Sequence, residues 1–260
     1  MNEELKNRLI FLAEKYETPD FVNDDPSRVL RRYSTLKDTE LAAFCAAMLA
    51  FGQRQQFLQK CEIIFAAADN AGGFYEWIKS RAYQALFNDS PKKFYRFYSY
   101  ADMRALFDRM YAIIEESGTL EEYYKKMLAQ TGGDYAFALS QCFAGCKIVP
   151  QGKNCANKRL WMYLRWMVRT GSCVDLGCWC WLNPANLLIP LDTHVLSQSQ
   201  KLGLLPPDAG ATRKSAVLLT SQLAEIWQND PAKGDFALFG LGVDKTEKAG
   251  CGLDSDGGVL

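Results

Sequence analysis

The stretch from Thr39 to Phe51, TELAAFCAAMLAF, decides the fold. Apolar side chains occupy nearly every face of the helix that it would form, and such a helix is buried at the centre of a protein. Asp38 precedes it as an N-cap type of residue, and Gly52 follows it where glycine commonly ends a helix. We therefore predict a central, fully buried helix over residues 39–51.

Helical periodicity continues outward from this stretch in both directions, and the alternation typical of strands is rare. The pattern predicts an all-α fold, a helical bundle of two lobes with a cleft between them, over residues 1–243. Residues 244–260 contain four glycines and few apolar side chains, which predicts a disordered tail. The predicted helices are Leu5–Tyr16, Thr39–Phe51, Phe57–Ala68, Asp102–Glu116, Leu120–Gln130, Asp134–Gly145, Asn157–Val168, Thr193–Leu202, Thr212–Trp227 and Pro231–Phe239.

The composition is that of a folded protein inside the cell. Apolar residues make up 48% and charged residues 23% of the 260, so disorder of the whole chain is not expected. The chain lacks an apolar run of about 18 residues, and its N-terminus is charged throughout, so we predict neither a membrane span nor a signal peptide. Nine cysteines, an odd number, then favour reduced thiols and a cytoplasmic location.

Charge is balanced overall but not locally. Lysine plus arginine equals aspartate plus glutamate at 30 each, so the chain has no global basic charge. Residues 135–174, however, contain no acidic residue. A neutral protein can still bind phosphate through one positive face, and this span predicts such a face. Its basic residues are Lys147, Lys153, Lys158, Arg159, Arg165 and Arg169.

The helix predicted over residues 157–168 separates two faces. Leu160, Leu164 and Met167 recur at helical spacing and should face the core. On another face lie Lys158, Arg165 and Arg169. The preceding turn contains Gly152 and Lys153, and this turn together with the N-terminus of the helix could bind a phosphate. The alternative is an ordinary solvated basic face.

A second candidate site follows the apolar run 187–191. Asp192 opens a predicted helix, so its carboxylate would be held rigidly and partly desolvated. The alternative is a purely structural N-cap, a common role for aspartate. His194 is the single histidine, and the cysteine spacings differ from the paired C-x2-C of structural zinc, so we predict no metal site and no iron–sulfur cluster.

These strings resemble the helix-hairpin-helix DNA glycosylase superfamily. Leu191-Asp192-Thr193-His194-Val195 is similar to the segment that supplies the catalytic aspartate there. The string Lys158 to Arg165, KRLWMYLR, is similar to the lysine-bearing helix of the archaeal 8-oxoguanine glycosylase branch. Gln53 stands where the superfamily often has a glutamine that is wedged into DNA. Over roughly residues 25–243 the chain also resembles an uncharacterised bacterial family, a domain of unknown function.

The resemblance implies a base-excision repair enzyme, a DNA glycosylase with AP lyase activity. Lys158 would be the nucleophile and Asp192 its partner in catalysis, while Gln53 and Arg54 would fill the gap left by the extruded nucleotide. The partner would be double-stranded DNA with a damaged or abasic site, no cofactor would be needed, and the hairpin could bind a monovalent cation.

Three departures from that superfamily keep two alternatives open. Thirty-three residues separate Lys158 from Asp192, about twice the usual number, so the extra material near residues 171–184 must loop out. Residues 151–154 lack the usual Gly-x-Gly, and only Cys251 lies where some relatives have an iron–sulfur loop. The long insertion and the imperfect hairpin favour a DNA-binding protein that kept the fold without catalysis. The balanced net charge favours the other alternative, a helical enzyme or scaffold unrelated to DNA.

Overall fold

The computed structural model describes residues 1–20, 27 and 31–241. The predicted tail, residues 244–260, lies outside this part of the chain. The all-α class is confirmed, because helices dominate and the described strands form one small hairpin. The helices are α1 Glu3–Tyr16, α2 Leu36–Leu49, α3 Arg54–Asn70, α4 Phe74–Lys79, α5 Tyr83–Leu86, α6 Tyr100–Ser117, α7 Leu120–Gln130, α8 Tyr135–Cys142, α9 Lys158–Val168, α10 Thr193–Lys201 and α11 Arg213–Leu223.

The chain divides into two compact units. The first unit contains Met1–Thr18, Asn154–Ala156 and the described residues from Pro184 onward; the second contains Pro19–Lys153 and Asn157–Asn183. The first unit therefore holds α1, α10 and α11, together with a short 3-10 helix at Pro231–Lys233 and a helical segment over residues 234–241. The second unit holds α2 to α9 and the hairpin. The predicted cleft between two lobes stays a prediction.

Helix α2 is the centre of the second unit, as the sequence predicts. Every residue from Thr39 to Ala50 is buried, and α2 packs against α3, α4, α7 and α9. The ring of Phe44 stacks on Phe143 at 4.1 Å between centroids and meets the edge of Tyr163 at 5.2 Å. A helix that contacts neighbours on all sides needs apolar residues on all sides, which is the pattern that its sequence shows.

The predicted start of α2 is wrong by one turn. The helix begins at Leu36, and its N-cap is Thr35, whose hydroxyl accepts a hydrogen bond from the Asp38 backbone N–H at 3.2 Å. Asp38 instead accepts the backbone N–H of Tyr75 at 2.8 Å, and so caps the start of α4 from outside that helix. Two polar residues three positions apart both suit an N-cap, and tertiary packing decides which of them takes that role.

The first unit has its own apolar core. One face of α1 contributes Leu9, Leu12 and Ala13, and α11 contributes Ala216, Leu219 and Leu223. The apolar run that precedes α10 adds Ile189 and Leu191, both buried. The backbone N–H of Ile189 donates to the Thr220 hydroxyl at 3.0 Å, which fixes this run against α11 and therefore sets the start of α10.

The segment after α9 is folded back onto that helix rather than looped out as predicted. The backbone N–H groups of Leu176 and Gly177 donate to the Trp166 carbonyl at 2.8 and 3.2 Å, and that of Trp179 donates to the Met167 carbonyl at 2.7 Å. These bonds satisfy carbonyls at the C-terminal end of α9, which have no partner within a helix. Trp179 is fully buried, so this segment is part of the core of the second unit.

Gly177 lies where this segment passes against the two residues that follow α9. Its φ is +63°, and an added Cβ would lie 2.9 Å from both the Arg169 carbonyl oxygen and the Thr170 Cα. We expect Gly177→Ala to lower the free energy of unfolding by about 1–2 kcal/mol from the left-handed backbone alone, and by more from the clash. Gly171→Ala is the matched control, because φ is +73° there and the added Cβ would meet nothing. Equal destabilisation of the two variants in urea titrations would contradict the clash.

Candidate functional site

The start of α9 combines several features that disfavour a helix start. The helix begins with Lys158 and Arg159 and has no acidic residue in its first turn, although the helix dipole favours anions there. Its N-cap residue, Asn157, has a left-handed φ of 48° and makes no capping hydrogen bond. Helix α11 also begins with two basic residues, but the Thr212 hydroxyl caps it in the usual way. Among the described helices, α9 alone combines two leading cations, no side-chain cap and a left-handed N-cap residue other than glycine.

Asn157 itself is a buried residue with an unused acceptor. Its side-chain N–H donates to the Gly152 carbonyl at 2.8 Å, which ties the preceding turn to α9. Its side-chain oxygen is buried and has no hydrogen-bond partner among the described residues. An unpaired buried polar atom costs free energy, so it calls for an explanation, and a role in binding or catalysis is one such explanation.

Lys158, the predicted nucleophile, is half-buried at this helix start. Lys153, in the turn before it, is exposed, and its ammonium lies 4.1 Å from the centroid of the Phe137 ring. Lys153 and Lys158 therefore both lie near the N-terminal end of α9, and the positive face itself stays a prediction.

Arg165 and Arg169 do not contribute to that face. Their side chains are 6% and 2% exposed, and both form ion pairs with Asp175, which is fully buried. The Arg165 Nε lies 3.3 Å from one carboxylate oxygen, and an Arg169 Nη contacts the other. We therefore remove both residues from the predicted DNA-binding set. The sequence holds the signal for this pairing, since Asp175 is the first acidic residue after the acid-free span.

The Gln53 loop, residues 51–53 between α2 and α3, is exposed at its tip, as a wedge would have to be. Gly52 has a φ of +82°, which turns the chain sharply between the two helices. Gln53 and Arg54 are both exposed, and Gln53 stands at the N-cap position of α3. Its side-chain oxygen accepts a hydrogen bond from the Gln56 side chain at 2.8 Å, so the amide is held close to the loop.

A hairpin that sequence reasoning missed lies beside the Gln53 loop. Strands β1, Lys93–Tyr95, and β2, Tyr98–Ser99, are antiparallel and place Arg96 and Phe97 at the turn. Phe97 is 52% exposed, and its ring stacks on Phe51 at 5.2 Å. The string KFYRFY, residues 93–98, is rich in the aromatic residues that favour strands and was the available signal.

Asp192, the second predicted catalytic residue, belongs to the first unit and caps α10. One carboxylate oxygen accepts the backbone N–H groups of His194 and Val195, both at 2.9 Å. The carboxylate is half-buried, as the apolar run before it predicts. The structural reading of Asp192 as an N-cap is thus confirmed, while its catalytic role and its convergence with Lys158 stay predictions.

The remaining sequence candidates are mostly structural. Trp161, Trp166 and Trp179 are buried, which agrees with packing as their main role, whereas Trp181 is 39% exposed. The described cysteines, which are all except Cys251, form no disulfide bonds. In residues 1–20, 27 and 31–241, no three histidine, cysteine, aspartate or glutamate side chains come together as metal ligands would.

These features define a mostly helical protein of two compact units, with a lysine at the start of one helix. The chain matches the family described as Protein of unknown function (DUF2400) over residues 25–244, and it belongs to that family. No curated protein and no solved structure matches it. The family match agrees with the predicted resemblance to an uncharacterised family and carries no information on DNA glycosylases.

Among the described helices, none has the length and hydropathy that crossing a bilayer requires.

Glu40 is a buried carboxyl group that the sequence did not single out. It lies in the middle of α2, and its two oxygens accept the backbone N–H groups of Leu120 and Glu121 at 2.7 and 3.1 Å. It therefore binds the start of α7. Burial raises the pKa of Glu40 to about 8, against the smaller, opposing effect of the two N–H groups.

This raised pKa predicts a stability that falls with pH. The folded state holds a proton on Glu40 that the unfolded state releases near its ordinary pKa of 4.5, so stability should decrease from about pH 4.5 to about pH 8 and then level off. In Glu40→Gln this contribution should vanish. Urea titrations from pH 5 to pH 9 should show the wild type losing stability relative to Glu40→Gln across that window; a constant difference would contradict the raised pKa.

Proposed function

We propose that this protein is a DNA glycosylase with AP lyase activity, with Lys158 as nucleophile and Asp192 as its catalytic partner. The start of α9 is the observation that carries the proposal. This helix start is disfavoured by its two leading cations and by the lack of a capping hydrogen bond. The unpaired side-chain oxygen of buried Asn157 adds to the cost. Violations of such local rules occur mainly at functional or strained sites, which is the support that this helix start gives to the proposal.

The chemistry requires one amine and one carboxylate. The neutral amine of Lys158 attacks C1′ of the sugar, the bond from C1′ to the base breaks, and the base leaves with the bonding electrons and takes up a proton. Opening of the sugar ring then gives a Schiff base between Lys158 and C1′. Removal of a C2′ proton expels the 3′ phosphate, which is strand cleavage. The carboxylate of Asp192 would accept the proton of the amine or stabilise positive charge on the sugar.

The exposed residues of the second unit supply the elements that DNA binding needs. Arg54, Arg96 and Lys153 are exposed cations that could contact phosphates, and these contacts are independent of sequence. Gln53 and Phe97 are also exposed, and the Gln53 loop lies against the hairpin that carries Phe97. These two side chains could take the place of an extruded nucleotide and stack on the neighbouring bases. This set revises the one predicted from the sequence, in which Arg165 and Arg169 stood in place of Arg96.

Borohydride trapping on DNA with an abasic site tests the proposal. Borohydride reduces the Schiff base to a stable amine, so an active lysine gives a covalent protein–DNA adduct that survives denaturing electrophoresis. We expect an adduct with the wild-type protein. Salt-dependent DNA binding without an adduct would mean a non-catalytic DNA-binding protein, and neither binding nor adduct would mean a function unrelated to DNA.

The capping role of Asp192 makes a clean test of its charge possible. Asparagine caps helices about as well as aspartate, and it keeps the oxygen that accepts from His194 and Val195. We expect Asp192→Asn to slow single-turnover base excision by roughly 10²- to 10⁴-fold, with thermal unfolding close to that of the wild type. Asp134→Asn, the same change at the N-cap of α8, is the matched control. Wild-type excision rates in Asp192→Asn would remove Asp192 from the mechanism.

A further inference from the structure

Arg159, next to Lys158 in the first turn of α9, reaches away from its own helix to three other segments. One guanidinium N–H group donates to the Met48 carbonyl at 2.5 Å, and another donates to the Tyr98 hydroxyl at 3.1 Å. The guanidinium carbon also lies 5.1 Å from the centroid of the Phe51 ring. One side chain therefore joins the start of α9 to the end of α2, to the hairpin and to the residue that begins the Gln53 loop.

The contact with Met48 stabilises the end of α2. Carbonyl groups in the last turn of a helix have no partner within the helix, and a cation there interacts favourably with the dipole. The last turn of α2 contains no basic residue of its own. Arg159 supplies that cation from another helix, although its own position near a helix start is unfavourable for a positive charge.

The Gln53 loop is held in place by the same group of residues. The Tyr95 hydroxyl donates to the Phe51 carbonyl. A Cβ on Gly52 would lie 2.6 Å from an Arg96 Nη and 2.9 Å from the Tyr95 hydroxyl, so the loop passes against the hairpin with no space for a side chain. A displacement of Gln53 would therefore also displace the hairpin and Phe51, and Arg159 contacts both of them.

On the basis of the proposed function, we infer that Arg159 is a positioning residue that couples the Gln53 loop to Lys158. When the loop enters duplex DNA, Arg159 keeps the first turn of α9, and with it the amine, in register with the extruded sugar. Because a nucleophile displaced by about 1 Å can lose roughly 100-fold in rate, such a link matters for the reaction. The link through Arg159 affects the reaction rate only on a substrate whose nucleotide must be extruded from a duplex.

This restriction to duplex DNA provides the test. Single-turnover borohydride trapping is measured for Arg159→Lys on an abasic site in a duplex and on the same site in a single strand, which needs no extrusion. We expect trapping on the duplex to be slower by roughly 10- to 100-fold and trapping on the single strand to change by less than about 3-fold. Arg104→Lys is the matched control, since Arg104 forms an ion pair with Asp108 within α6.

A cycle with Gln53→Ala tests the coupling directly. If Arg159 acts through the loop, the double variant should lose less on duplex DNA than the product of the two single losses. Should Arg159→Lys fail to fold, Tyr98→Phe removes one acceptor of Arg159, together with a weaker bond to the Ile148 carbonyl, and should slow trapping on the duplex alone by roughly 3- to 10-fold.

The outcomes separate the inference from the proposed function. No adduct with the wild-type protein on either DNA would overturn both. A wild-type adduct, with Arg159→Lys trapping the duplex as fast as Arg104→Lys does, would overturn the inference alone. Equal slowing on duplex and single strand would also overturn it, because the defect would then lie in the reactivity of Lys158 or in folding rather than in coupling.

Discussion

Lys158→Gln will abolish covalent trapping on abasic DNA, a loss of at least about 10³-fold, while DNA binding largely remains. Glutamine cannot form a Schiff base, so no route to the reduced adduct is left when the nucleophile is removed. The substitution removes one positive charge, so the salt dependence of binding should become shallower by about one unit of slope at most. Trapping is measured by denaturing electrophoresis, and affinity by fluorescence anisotropy at several salt concentrations.

The control for this prediction is a lysine elsewhere on the same unit. Lys147 lies in the same acid-free span, its side chain is 61% exposed, and it pairs with Asp102 at 3.1 Å. Lys147→Gln should trap like the wild type. If Lys158→Gln still forms the adduct, another amine is the nucleophile and the proposed role of Lys158 is wrong.

The largest effect on stability is expected at Asp175. Asp175→Ala removes the buried carboxylate that pairs with both Arg165 and Arg169, and the two guanidinium groups remain in the interior. Removing one partner of a buried ion pair costs about 3–5 kcal/mol, since the remaining charge is no longer compensated. We expect the urea midpoint to fall accordingly with little change in m-value.

A surface ion pair gives the matched comparison. Glu122 is about half-exposed on α7 and pairs with Lys125 at 2.7 Å. Glu122→Gln should change the free energy of unfolding by less than about 1 kcal/mol. A similarly small effect of Asp175→Ala would mean that the two arginines are well solvated or well compensated by other groups, and would return them to consideration as a DNA-binding face.

The all-helical class and the main helices could be predicted from the sequence because their causes are local. The periodicity of residues 120–130 gives α7 with both ends correct, and the all-round apolar pattern of residues 39–50 predicts their complete burial. The positions of Lys158 at a helix start and of Asp192 at an N-cap follow from the same short-range rules. Short elements with few residues to carry a pattern, such as α4, α5 and the hairpin, were missed.

What only the tertiary structure decided is which polar groups meet across long stretches of chain. The sequence predicts that Arg165 and Arg169 lie on an exposed basic face. In the structure, the backbone hydrogen bonds of the segment after α9 hold Asp175 next to them, and the three residues form a buried ion-paired group. Sequence pattern records which face of a helix is polar, but not whether water or a distant carboxylate will solvate it. The same holds for Arg159, whose partners Met48 and Tyr98 lie 111 and 61 positions away along the chain. Their proximity results from the packing of α9 against α2 and the hairpin, because only tertiary packing brings a guanidinium within hydrogen-bond distance of residues so remote in sequence.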